Sequence, residues 1–135
     1  MTDQEATPRR RAEQLVLDAA GLLLVASGCL HVFVWSADGG SLEGPASWRK
    51  PILFGVSAGV TLLSLGWVVG KMRRRTGDLL LTGSLAAALL VEVGLITLQQ
   101  WRGVASHFNR ATAFDGTVLA WIEGLILLVT AVIAE

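Results

Sequence analysis

The chain has 135 residues, 53% of them hydrophobic and 16% charged, with a mean hydropathy of +0.58. That length allows one domain. The charges gather in a few clusters between long apolar runs instead of forming a solvated shell, which excludes a soluble globular fold and a disordered chain. Eleven basic and eleven acidic residues cancel, so no basic field points to nucleic acid, and one cysteine excludes an intramolecular disulfide or a cysteine-rich metal cage.

In chain order, residues 1–14 form a polar tail carrying Arg9, Arg10 and Arg11, and residues 15–135 form a single transmembrane domain. The first apolar run covers 15–35 and contains Asp18, Cys29 and His31. A loop with Gly39-Gly40, Gly44-Pro45 and Arg49-Lys50 leads into the second run, 52–70, which has no charge. The basic turn Lys71-Met-Arg-Arg-Arg-Thr-Gly77 separates it from the third run, 79–98, which holds Glu92. The polar stretch 99–116 precedes the fourth run, 117–134, which holds Glu123. Each run is close to the roughly 20 residues that span a bilayer as a helix. Backbone groups in lipid must be satisfied within the segment, so the prediction is all-α: an integral membrane four-helix antiparallel bundle. The segment Ala26-Ser-Gly-Cys29 resembles a loose lipoprotein cleavage site, but Leu30 to Trp35 stays apolar where a polar tether is expected. Cys29 is read as a small buried packing residue.

Seven basic residues (Arg9–Arg11, Lys71, Arg73–Arg75) fall on one side of the predicted spans, against Arg49, Lys50, Arg102 and Arg110 on the other. The positive-inside rule then makes both termini cytoplasmic and both long loops external, with the bacterial inner membrane as the expected location. Trp35, Trp48 and Trp101 collect at the outer boundary as an aromatic belt would.

Gly55, Gly59, Gly66 and Gly70 recur on one face of the second span, and Gly83, Ala87 and Gly94 repeat the idea in the third. Such small-residue faces admit a neighbouring helix. Packing within the chain is the plain reading of the first set; a homo- or hetero-oligomer seat is the alternative. Arg49…Phe54-Gly55 and Arg110…Phe114-Asp-Gly116 also hint at an internal duplication.

Ionisable groups within a bilayer are functional-site candidates. His31, Glu92 and Glu123 all fall within roughly 6–10 Å of the same predicted outer surface, at about 1.5 Å per residue. Glu92 shares a face with Ala88, Ile96 and Gln99, and Glu123 with Ala120, Leu127 and Thr130. Both carboxylates are expected to turn inward, toward each other or toward Arg49, Lys50, Arg102 or Arg110. Beside the acid–base role stands a purely structural one, a Glu92 ion pair that sets helix register. The loop between the third and fourth spans adds Gln99, Trp101, Arg102, Ser106, His107, Asn109, Thr112 and Asp115 within seventeen residues. Arg102 suits an anionic headgroup or carboxylate through its planar fork, and His107 suits proton transfer at neutral pH, oriented by Ser106 or Asn109. Structural roles compete there as well: Asp115 as N-cap of the fourth helix, Asn109 as turn former, and His107 as an interfacial side chain. No nucleotide-binding glycine loop, Cys-x-x-Cys or His-based metal spacing occurs, so no metal or cofactor is expected. Haem held by His31 and His107 is a minor alternative.

The run Trp101-Arg102-Gly103-Val-Ala-Ser106-His107-Phe108-Asn109, with Phe114-Asp115 after it, resembles a motif of small four-span bacterial membrane proteins. The likeness extends to Ser47-Trp-Arg49-Lys50-Pro51 and Glu92, and covers most of the chain beyond residue 30. It implies the four-span architecture and carries no mechanism. The residues themselves suggest an acid–base enzyme of isomerase or cyclase type, acting on a prenyl or other lipid-like molecule in the bilayer. Glu92, His107, Glu123 and Asp115 would be catalytic, and Arg49, Arg102, Ser106, Asn109, Gln99 and Trp101 would bind the substrate. The alternatives are a non-catalytic accessory or ligand-binding subunit and, with less support, a proton pathway.

Overall fold

The computed structural model describes residues 11–134. The first ten residues of the predicted tail lie outside the described residues. Four helices follow in chain order: α1 (Ala12–Asp38), α2 (Arg49–Lys71), α3 (Asp78–Trp101) and α4 (Ala113–Ala134). At about 1.5 Å per residue each is roughly 33 Å or longer, and each is long and apolar enough to cross a membrane. Among the described residues there is no strand. The architecture is the predicted all-α four-helix bundle, and the chain is a multi-pass membrane protein by length and composition.

The helices outrun the apolar segments because each borrows polar residues for its first turn. Ala12, Glu13 and Gln14 belong to α1, not to a tail, and the Gln14 side chain accepts from the Arg11 backbone N–H. Asp78 accepts from the Arg75 N–H at the start of α3. α4 begins four residues before the apolar run, because Thr112 and Asp115 cap it reciprocally: Thr112 Oγ1 accepts the Asp115 N–H at 3.1 Å and donates to Asp115 Oδ2 at 2.8 Å. Asp115 is thus not the N-cap but the third residue of the helix, and Thr112 is the cap. α1 stops where Gly39 adopts φ 67° and returns its N–H to the Trp35 carbonyl.

α1 and α2 form the closest pair. A Cβ on Gly55 would lie 3.0 Å from the Gly28 Cα, and one on Gly59 would lie 2.7 Å from the Gly21 carbonyl oxygen. The Gly55/Gly59/Gly66/Gly70 face therefore packs inside the chain against α1, the plain reading of its spacing. α3 packs across both helices around Leu17, Leu24, Leu62, Leu85 and Val93. α4 approaches α3 alone, through Ile96, Val118 and Ile122. Gly83 and Gly94 meet nothing within 4 Å, so the expected small-residue contact of α3 is not used. Cys29, expected to be buried, is exposed beside Leu30 and Phe33 on the outer face of α1. Large apolar side chains such as Leu22, Leu23, Trp67, Leu80 and Leu127 face outward, the distribution a bilayer requires.

Overpacking the α1–α2 contact has a defined cost. Gly59→Leu should destabilise the protein in detergent by about 3 kcal/mol, with helical content lost at lower temperature. Gly94→Leu, where a side chain meets open space, should leave the melting curve within about 0.5 kcal/mol of the parent.

Candidate functional site

Most of the candidate residues lie at one end of the bundle, where the α1–α2 loop (39–48) and the α3–α4 loop (102–112) are; the basic α2–α3 turn is at the other end. Three separate arrangements occupy this loop end.

The first joins α3 to α4. Gln99, fully buried, donates from Nε2 to Asp115 Oδ1 at 3.1 Å. Arg102 donates from one guanidinium nitrogen to Gln99 Oε1 and to the same Asp115 oxygen, the latter at 2.6 Å. With Thr112 on Oδ2, both oxygens of the buried Asp115 are satisfied. The Arg102 guanidinium also lies 4.6 Å from the Phe114 ring centre. Asp115, Gln99 and Arg102 were candidates for catalysis and binding; they bond one another and clasp the corner that turns α3 into α4, with both Asp115 oxygens engaged and, of the Arg102 guanidinium, Nη1 alone.

The second joins α1, α2 and α3. The Trp101 Nε1–H donates to His31 Nε2 at 3.1 Å, and His31 Nδ1 lies 2.7 Å from the Ser27 carbonyl. Indole is only a donor, so Nε2 is the acceptor and the proton sits on Nδ1. Trp48 completes an aromatic cluster, its ring centre 5.3 Å from Trp101 and 6.0 Å from His31, with Nε1 donating to Asp38 at 3.0 Å. Trp48 is buried and so is not a belt residue; Trp35 hydrogen-bonds the Gly40 carbonyl. Both ring nitrogens of His31 are engaged in these bonds.

The third arrangement has capacity left over. Lys50 Nζ on α2 donates to the Pro45 carbonyl at 2.7 Å and reaches Ser106 Oγ at 3.4 Å. The buried Ser106 Oγ lies 2.9 Å from His107 Nδ1, and the imidazole stacks on Phe54 of α2, centroid to centroid 6.1 Å at 26°. Among the described residues His107 Nε2 has no hydrogen bond. Burial and the nearby Lys50 charge lower the His107 pKa below its usual 6.5, with Glu123 opposing them. A neutral ring at neutral pH follows. Ser47, completely buried at the start of α2, keeps its hydroxyl without a partner among the described residues. Beside His107 in the chain, Phe108 adopts φ 58° with its ring 92% exposed.

The remaining predicted residues separate. Glu92 is 6% exposed, on the buried face of α3 with Ala88, Ile96 and Gln99 as its spacing implied, and among the described residues it makes no hydrogen bond or ion pair. Glu123 does not turn inward: it is exposed, together with Ala120, Leu127 and Thr130 of the same face. The reason is that α4 leans on α3 alone, so only the Val118/Leu119/Ile122 side is covered. The two carboxylates therefore do not form a pair. Arg49 and Arg110 are exposed and pair with neither glutamate. Asn109 acts as the turn former, donating to the Ala105 carbonyl and accepting from the Ala111 N–H. Lys50, Phe54 and Thr112 were missed as site residues. The Thr-x-x-Asp spacing of a capping box announced Thr112; nothing local announced that Lys50 reaches a residue 56 positions away.

The electrostatics of His107 are directly measurable. In an NMR titration of the labelled imidazole its midpoint should lie below 6.5. Lys50→Gln removes a like charge and should raise it, whereas Glu123→Gln removes an opposite charge and should lower it further. No family model, curated protein sequence or solved structure matches this chain, so its function has to be read from these residues.

Proposed function

We propose that the protein is a membrane-embedded acid–base enzyme, of isomerase or cyclase type, acting on a prenyl or other lipid-like molecule at the loop end of the bundle. The observation that carries this is the Lys50–Ser106–His107 run, which holds an imidazole against Phe54 and leaves its Nε2 edge unspent. A neutral imidazole is a base at neutral pH, and the Ser106 hydroxyl can donate to or accept from Nδ1, so it supports either tautomer. Lys50 and Ser106 position the ring; His107 moves the proton. Glu123, near enough to bias the ring, is the partner for proton return, and the buried Glu92 adds a carboxyl whose hydrogen-bonding capacity the described residues leave free. Isomerisation or cyclisation removes a proton at one carbon and delivers one at another, with no redox change. Such chemistry needs what this end of the bundle offers and no further group.

The substrate would enter from the bilayer, since α4 comes close to α3 only and leaves its flank beside α2 open. The Trp101–Asn109 run that resembles four-span bacterial membrane proteins supplies both Ser106 and His107, and a bacterial inner membrane belongs to this proposal. A second reading, an accessory or partner-binding subunit, is favoured by the small-residue face of α4, where Ala113, Ala120 and Gly124 are exposed and Gly116 is half-buried.

Proton transfer to carbon leaves a mass signature. In vesicles of total bacterial lipid extract made up in D2O, the parent chain should place deuterium on carbon of a lipid component. His107→Ala should abolish this at unchanged membrane abundance, and Glu92→Gln and Glu123→Gln should lower it at least tenfold. No incorporation by the parent, or incorporation that survives His107→Ala, would leave the accessory reading in its place.

Orientation is a separate expectation of the same proposal, with the loop end outside and the basic end in the cytoplasm. In a Cys29→Ser background, cysteines placed at Gly44 and Ala111 should react with an impermeant thiol reagent on intact cells. Labelling only after lysis would invert the topology.

A further inference from the structure

At the opposite end from His107, a cavity of about 280 Å³ opens between α1, α2 and α3. Its inner wall is apolar, formed by Leu17, Leu65 and Leu85, and its mouth carries Arg73, Arg75 and Asp78. The charges at this mouth are not equivalent. Arg74 is committed to Glu13, 3.3 Å away, and the Asp78 carboxylate is committed to the Arg75 backbone N–H at 2.7 Å. The Arg73 and Arg75 guanidiniums are exposed and make no ion pair or hydrogen bond among the described residues. Lys71 turns aside, 5.8 Å from the Trp67 ring centre. Two uncommitted forks thus stand at the level where α2 ends and α3 begins, above a greasy slot that runs into the bundle.

We propose that this is a binding site for one anionic phospholipid. The phosphodiester would sit between Arg73 and Arg75, and part of one acyl chain would fill the slot lined by Leu17, Leu65 and Leu85. Charge complementarity selects an anionic over a zwitterionic headgroup: both carry the phosphodiester that a guanidinium fork matches, but a choline cation would meet the like charges of Arg73 and Arg75, which outnumber the single Asp78 carboxylate at the mouth. The slot selects a lipid over a free phosphate, which would gain nothing from apolar walls. The depth fits as well: the cations lie at the helix ends, where headgroups are, and the cavity runs toward hydrocarbon.

The test uses the full chain in phosphatidylcholine nanodiscs, titrated with phosphatidylglycerol of matched chains and read by native mass spectrometry and melting temperature. Saturable binding of one phosphatidylglycerol is expected, at least tenfold tighter than added phosphatidylcholine and weakened by salt. Soluble glycerol phosphate should not compete. The double variant Arg73→Gln/Arg75→Gln, at exposed positions, should lose the preference while melting like the parent in phosphatidylcholine alone. Leu81→Trp, at the exposed rim of the slot, should lower binding at least tenfold with both arginines intact. Equal binding of the two lipids, full competition by glycerol phosphate, or a preference that survives both variants would each overturn the site.

Discussion

The close approach of α1 and α2 is the contact on which the rest of the bundle depends. Water-driven burial does not separate helix–helix from helix–lipid contacts in hydrocarbon, so association rests on how near two backbones can come. Gly21 and Gly28 face Gly55 and Gly59, and a single methyl group at any of these four positions would meet backbone or a packed side chain. The pair so formed is the platform across which α3 lies, and α3 in turn is all that α4 has to lean on. The gradient from a tight first pair to a loosely attached fourth helix leaves one flank of α4 uncovered.

Polar chemistry at the loop end divides according to whether hydrogen-bonding capacity is spent or spare. Asp115 has both oxygens engaged, by Gln99, Arg102 and Thr112, and this network around a buried carboxylate holds the α3–α4 corner in one geometry. His31 and Trp101 do the same between α1 and α3. These are residue types that catalysis also uses, yet a group with every lone pair and proton engaged has none to offer a substrate. His107 Nε2, the Glu92 carboxyl and the Ser47 hydroxyl are different, because the fold holds them in place without using them up. The loop carrying Ser106 and His107 meets α2 through Lys50 and the Phe54 ring.

The opposite end of the bundle follows the same division. Glu13 and Arg74 neutralise each other where α1 and the α2–α3 turn meet, and Asp78 caps its helix. Arg73 and Arg75 remain uncommitted above an apolar slot. The chain thus carries unspent groups at both ends of the bundle, of different character: an imidazole edge at one, fixed positive charge at the other.

Hydropathy and spacing alone determined the helical class, the number of spans and which residues share a helix face, because backbone satisfaction in lipid leaves no other secondary structure for such runs and the 3.6-residue period is local. That Glu92 shares a face with Ala88, Ile96 and Gln99 was legible in this way. Which side of a helix faces inward was not, because that depends on how many neighbours the helix acquires. Glu123, Ala120, Leu127 and Thr130 share a face as their spacing says, but α4 has one neighbour, and that face is open. The glycines of α2 announced a close contact, and only the packing chose α1 as the partner. Likewise the crowding of Arg102, His107 and Asp115 announced a polar corner. Which of them remain free was decided by tertiary pairing, since Asp115 meets Arg102 across a loop while Lys50 meets Ser106 across 56 residues.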